Sequence, residues 1–353
     1  MFRRYFVLLP NVLGSFYTDY MMKKIAKIVL TAALLMGAAS GAKAQDVIFS
    51  QFYANPLYMN PAFAGSKVCP RISINYRSQR PSLVSAFTTV SASYDQYIDG
   101  LHGGVGAILM TDRQGDHGAL STSSLNVMYA FRFQLAREFW VNAALQMGVV
   151  NTSLDWDQLR FPDMIDRVNG FTGMTSAQIP EHTNKWYLDF AAGALFYGSS
   201  WYAGVAAAHL TQPSDGFYGV TKLPIKITGN VGALINIAEE RRRTSSLGLG
   251  TPVLSPNFIY QYRAGFHYFN YGIYLDWMPF LVGLWFRNGI ENADAFIFQL
   301  GFQQDYFKIG YSYDVTVSKM SNNTSGAHEL SVGFLLPCPE KRHKVKAIRC
   351  PSF

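Results

Sequence analysis

Charge is what this sequence has least of. Only 15% of its 353 residues are Asp, Glu, Lys or Arg, where about 25% is ordinary for a soluble domain. The formal net charge of +7 does not change that picture, because it is concentrated at the two ends: residues 1–44 hold six Lys or Arg against one Asp, and residues 339–353 hold five against one Glu. The stretch between is slightly acidic, which excludes a nucleic-acid footprint. Long apolar runs are missing too. Beyond residue 44 no segment approaches the ~18 consecutive apolar residues of a membrane-spanning helix. Cysteine occurs three times and histidine seven, scattered. No HExxH, GxSxG, P-loop, paired CxxC or EF-hand spacing occurs, so no enzymatic activity, metal or cofactor is expected.

What is present starts near the amino terminus. Met22-Lys23-Lys24 and Lys27 precede an apolar run from Ile28 to Met36, and Ala42-Lys43-Ala44 follows. That is the layout of a secretory signal peptide with an A-x-A cleavage site. Cleavage after Ala44 would start the mature chain at Gln45, which is not a lipid-accepting cysteine; residues 1–20 read as an upstream extension. An exported chain with 15% aromatic residues and no membrane helix points to a closed transmembrane β-barrel in an outer membrane.

Alternation supports that all-β reading. Phe296, Phe298, Leu300 and Phe302 share one parity against Ile297, Gln299 and Gly301, and Phe307, Ile309, Tyr311, Tyr313 and Val315 oppose Lys308, Gly310, Ser312 and Asp314. Leu125 to Phe133, Val141 to Val149 and Leu330 to Leu336 repeat the pattern. Such segments are strands with one apolar and one polar or small face. Fourteen antiparallel strands are expected, at roughly 71–78, 82–97, 101–113, 117–134, 137–153, 186–198, 200–212, 224–238, 245–263, 266–278, 280–288, 293–304, 305–317 and 325–336. Alternate connections are then unequal. Asp99-Gly100, Leu135-Ala136, Ser199, Pro279 and Gln304-Asp305 are tight and fall at one end with residues 239–244, while the long stretches 154–185, 213–223 and 318–324 fall at the other. Short periplasmic turns and long outer loops are the habit of outer-membrane barrels, and a soluble sandwich has no reason to show it.

One segment fits no strand. Gln51–Ser66, QFYANPLYMNPAFAGS, carries Phe52, Tyr53, Tyr58 and Phe63 together with two Asn-Pro steps, Asn55-Pro56 and Asn60-Pro61. Each proline opposes regular structure while the aromatics demand burial. With residues 45–66, QDVIFSQFYANPLYMNPAFAGS, the segment resembles the start of the PorP/SprF family, outer-membrane proteins of the type IX secretion system of Bacteroidetes. The likeness continues through GALFYGSSWYAGVAAAHLTQPSDG (193–216), LPIKITGNVGALI (223–235), WFRN (285–288), KIGYSYDVTVSKM (308–320) and HELSVGF (328–334). The resemblance implies a fourteen-stranded barrel without enzymatic activity. Its implied role is protein secretion, gliding motility or surface retention of secreted cargo, with type IX machinery components and cargo as partners. The chain departs from the family pattern in running past the last strand into a basic tail.

On this reading the chain divides into an extension plus signal peptide (1–44), a plug or lid (45–70), a barrel (71–336) and a periplasmic tail (337–353). The plug would pack its aromatics against the lumen wall or under the periplasmic mouth, with its Asn side chains capping their own turns, and a poorly ordered N-terminal arm is the competing reading. The inward faces read as mostly small and neutral, which suits a filled lumen; a passive porin is the alternative, and a hydrolase would need a rim cluster that is not legible. Arg241, Arg242 and Arg243 in the longest periplasmic turn, and Lys341, Arg342, Lys344 and Lys346 in the tail, share one end of the barrel. They are either solvated or a docking surface for an acidic partner or headgroups. His209 reads as a structural hydrogen-bonding residue, and His328 and Glu329 as pointing to opposite faces. Cys69 precedes the first strand and Cys338 follows the last, neighbours in a closed barrel in an oxidising compartment, so a Cys69–Cys338 disulfide is expected, with Cys338–Cys350 the competing pairing. N-terminal sequencing of the membrane-bound protein is expected to begin at Gln45, and retention of residues 1–20 would contradict the signal-peptide reading.

Overall fold

Strands with one apolar and one polar face have two ways to satisfy both: pack two sheets face to face, or close one sheet with its apolar face in lipid. The computed structural model, which describes residues 46–338 apart from 68, 83–86, 116–117, 167–169, 174, 238–250, 291–292 and 318–324, adopts the second. Its strands are β1 (Arg71–Gln79), β2 (Phe87–Ile98), β3 (Gly103–Gln114), β4 (Leu120–Ala136), β5 (Phe139–Leu154), β6 (Asn184–Tyr197) and β7 (Trp201–Ala208). They continue as β8 (Lys226–Ala233, extended by Ile235–Asn236), β9 (Val253–Arg263), β10 (Phe266–Trp277), β11 (Phe280–Gly289), β12 (Ala293–Gln303), β13 (Phe307–Thr316) and β14 (Ala327–Leu335). Each pairs antiparallel with its sequence neighbours, and β1 pairs with β14 from Arg71↔Leu335 to Gln79↔Ala327, closing a fourteen-stranded barrel.

Following cross-strand partners once round the wall from Leu154 of β5 leads back to β5 at Trp140, a stagger of 14 residues (154 against 140). Fourteen strands with that stagger imply a tilt of about 35° and a backbone diameter of roughly 26 Å. At this tilt nine residues span about 24 Å, the height of the apolar band of an outer-membrane barrel.

The outward faces carry that band. Leu109, Leu125, Val127, Leu145, Leu284 and Leu300 are each about half exposed or more, a liability in water and a match for lipid. Aromatic rings gather at the end where the barrel's chain ends lie: Phe139 stacks on Phe196 and Trp201, and Phe302 contacts Phe280 and Phe307. Toward the other end, Tyr262 meets His267 and Tyr313 meets His328, both at 4.8 Å. Two aromatic girdles are the interfacial signature of such barrels.

Strand existence agrees with the alternation, and the differences lie at strand ends. The seventh strand stops at Ala208 instead of reaching residue 212 because His209 and Gln212 take positive φ, 58° and 46°, which a strand cannot propagate. The inward faces are mostly small or neutral, with Ser73, Asn75, Ser91, Asn126, Asn142 and Gln299 among them, and the charges they do carry are Arg71, Arg77, Asp95, Asp112, Arg132, Asp189, Arg263, Arg287, Asp314 and Glu329, all buried inside the wall.

The wall is not uniform. Between β8 and β9 the ladder runs from Lys226↔Arg263 to Gly232↔Asn257 and resumes at Ile235↔Leu254. Pro256 in the gap has no N–H to donate. The Ser255 hydroxyl instead donates to the Ala233 carbonyl at 2.8 Å. The β1–β14 seam, in contrast, has nine consecutive pairs and a disulfide, Cys69–Cys338, with Cα atoms 4.9 Å apart and a sequence separation of 269. Cys350 lies outside the described residues. A disulfide closing so long a loop stabilises by about 2–5 kcal/mol. Cys338→Ser is therefore expected to lower the urea midpoint of the vesicle-embedded barrel, and reductant should lower the wild type to the same value. Equal midpoints for oxidised wild type and Cys338→Ser would contradict this.

Candidate functional site

Eight strands are about the number whose own side chains fill a barrel. Fourteen leave a space, and here Val47–Ser66 occupies it. Phe49, Phe52, Tyr53, Ala54, Leu57, Met59, Ala62 and Phe63 are 6% exposed or less, a core made between this inner segment and the wall. Phe52 packs on Trp285 at 4.8 Å, and Tyr53 meets Tyr202 and Tyr274 edge-on at 5.9 and 6.1 Å. Tyr58 is half buried, edge-on to Phe49 at 5.2 Å and lying under the Lys226 ammonium at 4.4 Å.

The two Asn-Pro steps do not abolish helix as the sequence suggested; they start it. Pro56 opens a one-turn α-helix, Pro56–Met59, and Pro61 a 3-10 turn, Pro61–Phe63. Proline at the first helical position gives up an N–H that had no intrahelical partner, so it is tolerated there. Asn60 caps the second turn, accepting from the Ala62 N–H at 2.9 Å, while its amide donates to the Ala194 and Val205 carbonyls at 3.1 and 3.2 Å. Asn55 makes no side-chain cap; its amide donates to the Ser91 hydroxyl at 2.9 Å.

An irregular segment carries backbone groups that no ladder satisfies. The wall satisfies them with side chains. Glu329 of β14 accepts the N–H of both Ser50 (2.7 Å) and Gln51 (3.1 Å), and Gln299 of β12 donates to the Ser50 carbonyl at 2.5 Å. The Gln51 amide donates to the Glu329 carbonyl at 2.9 Å and its oxygen accepts from Ser331 at 2.5 Å. Further along, Asn142 donates to the Ala62 carbonyl (3.0 Å), Asp95 accepts the Gly65 N–H (2.9 Å), and Arg132 donates to the Gly65 carbonyl (2.7 Å).

These polar groups form a charge network. Arg77 of β1 bridges Glu329 (3.0 Å) and Asp314 of β13 (2.9 Å), and Arg287 of β11 bridges Asp314 (3.1 Å) and Asp294 of β12 (2.5 Å). The Ser50 hydroxyl sits at the centre, donating to Asp314 at 2.6 Å and accepting from Arg77 at 2.8 Å. Six residues back along the same β1 strand, Arg71 pairs with Asp95 of β2 at 2.8 Å. Between Val47 and Ser66 there is no charged side chain, so every charge in the network belongs to the wall. Two glycines let the segment approach: a Cβ on Gly104 would lie 2.1 Å from the Ala64 carbonyl oxygen, and one on Gly193 2.1 Å from Asn60 Oδ1.

Other sequence candidates are placed as follows. His209 Nδ1 lies 3.0 Å from Asp189 Oδ2; His328 faces outward to the Tyr311 hydroxyl (2.8 Å) while Glu329 faces in. No group of three potential metal ligands occurs among the described residues. Arg241, Arg242, Arg243, Lys341, Arg342, Lys344 and Lys346 lie outside the described residues. Sequence reasoning missed Ser50 within the inner segment, and Arg77, Gln299, Arg287 and Arg132 of the wall as its partners. For the three arginines the available signal was a charge at inward parity inside an apolar strand.

At the end opposite the disulfide, the connections between β5 and β6 and between β7 and β8 are long. Asp163 accepts from the Ser176 N–H and hydroxyl and from Thr175, which holds its carboxyl below the ordinary range and ties the first loop together. The Tyr218 hydroxyl, from the second loop, donates to the Gln178 carbonyl in the first at 2.5 Å. Ile165, Phe171, Ile179, Tyr218 and Val220 are left more than half exposed there.

A family model described as type IX secretion system membrane protein PorP/SprF matches residues 41–334. Among solved structures, the outer membrane protein Omp33 of Acinetobacter baumannii is 7% identical, with 77% of this chain and 100% of that one covered and a TM-score of 0.41. A TodX monoaromatic hydrocarbon channel mutant is 9% identical over 78% and 92%, TM-score 0.42. The KdgM porin is 7% identical over 76% and 99%, TM-score 0.33. No curated protein sequence matches.

Glu329→Gln replaces one of the two oxygens that accept the Ser50 and Gln51 N–H groups by an NH2 donor and removes the charge paired with Arg77, and is expected to cost about 3–5 kcal/mol. Gly104→Ala, which adds a methyl against backbone, is expected to loosen residues 62–66. Urea midpoints and protease susceptibility in vesicles check both; midpoints within error of wild type would contradict the network's role.

Proposed function

The chain belongs to the PorP/SprF family of type IX secretion system membrane proteins, and on that premise we propose that this outer-membrane barrel is a sealed, non-enzymatic docking component. It supports protein secretion or surface retention of cargo by binding at its ends, not by conducting through its lumen. The observation that carries this reading is the inner segment. A charge-free stretch whose backbone is bonded to side chains from β2, β4, β5, β12 and β14 is an integral part of the barrel, and its place inside the wall supports a lumen that passes no polypeptide. What the barrel offers instead is surface. The short-turn end faces the periplasm and its machinery components, and the long loops with exposed Ile165, Phe171, Ile179, Tyr218 and Val220 face secreted cargo outside.

In planar bilayers the wild type is expected to show no steady conductance, and replacing Phe52, Tyr58 and Phe63 with Ser to open one. Large open-channel steps from the wild type would instead favour a passive porin. In affinity capture from detergent-solubilised outer membranes, type IX machinery or cargo is expected to co-purify. Tyr218→Asp with Val220→Asp should reduce cargo recovery severalfold while leaving periplasmic partners bound.

A further inference from the structure

Outside the lumen, the lipid-facing wall carries a groove of about 920 Å³. It is lined by three consecutive residues from each of five strands, β8 to β12, with Trp201 at one end. The middle residues are in register across the wall: Gly232↔Asn257↔Gly272↔Trp285↔Ile297. They point into the barrel, so on the outside only their backbone is presented. The groove is therefore a trough between two rows of outward side chains, crossing the strands with a peptide floor.

The rows differ. The row nearer the loops is Val231, Phe258, Tyr271, Phe286 and Phe296, and its rings touch in sequence at 5.8, 6.1 and 4.7 Å. The row nearer the chain ends is Ala233, Pro256, Ile273, Leu284 and Phe298. It is lowest at Ala233 and Pro256, so the trough opens there toward Trp201, within the aromatic girdle at the disulfide end.

We propose that this trough holds one hydrocarbon tail of a phospholipid whose headgroup lies at the Trp201 end. The dimensions select the occupant. Outward residues two apart on a strand are about 6.7 Å apart, too narrow for a helix of about 10–12 Å diameter. A partner strand needs a free edge, and β8 to β12 are paired on both sides. The lining is almost wholly apolar: Asn257 is turned inward and bonded to Ser255 at 2.8 Å, which leaves the Tyr271 hydroxyl and the Trp201 indole N–H as the side-chain polar groups along it. An extended alkyl chain is narrow and needs no hydrogen bonds, and five strands at ~4.8 Å spacing give it roughly 19 Å of contact. The opening at the girdle of the short-turn end places the headgroup in the periplasmic leaflet, which rests on the orientation proposed above; Trp201 is the kind of residue that borders headgroups.

The test is native mass spectrometry of the full-length protein, taken through detergent exchange and incubated with palmitoyl-oleoyl phosphatidylethanolamine. One retained phospholipid per barrel is expected. Ile273→Trp, which fills the trough, and Ala233→Leu, which narrows its mouth, should each cut the retained fraction at least fivefold. Leu145→Trp on the opposite wall, where Leu145 is 71% exposed, should leave it unchanged. Equal retention by wild type and both trough variants would overturn the site, and a sole adduct with the mass of lipopolysaccharide would overturn the phospholipid assignment. Neither outcome bears on whether the lumen conducts or cargo binds.

Discussion

A wall of fourteen strands encloses more space than its own side chains can fill, and much of the interior follows from that constraint. Wider barrels leave either water or an added segment inside. Water would have accepted any polar lining. A protein segment makes demands, because each of its peptide groups must find a partner away from water. The wall of this barrel carries those partners at named positions: Glu329, Gln299, Asn142, Asp95 and Arg132 each meet a backbone group of residues 50–65. The inner segment in turn contributes apolar rings, which the wall receives with Tyr202, Tyr274 and Trp285.

The division of charge follows. Two arginines and three carboxylates around Ser50 are close to mutually neutralising, and the segment brings no charge of its own. An unpaired buried charge costs several kcal/mol, so a charged segment would have needed a matching counter-charge at each step of its path. A neutral one needs only hydrogen bonds, which side chains with two acceptors or several donors supply cheaply.

The sequence revealed the wall more fully than the interior, for a physical reason. Strand alternation is local: Phe296 to Phe302 shows its parity within seven residues, and the inequality of turns and loops needs only their lengths. The inner segment was recognisable by its prolines and aromatics, yet its helical turns were not, because position within a turn decides whether Pro56 and Pro61 break helix or begin it. Partners such as Arg77 and Ser50 are 27 residues apart, and Ser50 and Glu329 are 279 apart. No period links such positions, and only closure of the barrel brings them together. The disulfide was legible because closure itself makes the first and last strands neighbours.

That dependence on closure bears on how the molecule assembles. Arg77 lies on the first strand, Glu329 on the last and Asp314 on the one before it, so Arg77 lacks its acids until β1 meets β14. Ser50 and Gln51 precede all of them in the chain, and their N–H groups are accepted by the same Glu329. Closing the seam with the inner segment absent would leave Glu329 and Asp314 without Ser50. Docking the segment with the seam open would leave it half its partners. Each step alone buries polar groups at a cost that the other removes. Seam closure and docking of residues 47–66 are therefore coupled in free energy, and the Cys69–Cys338 bond, which joins the foot of the inner segment to the end of β14, lies where the two meet.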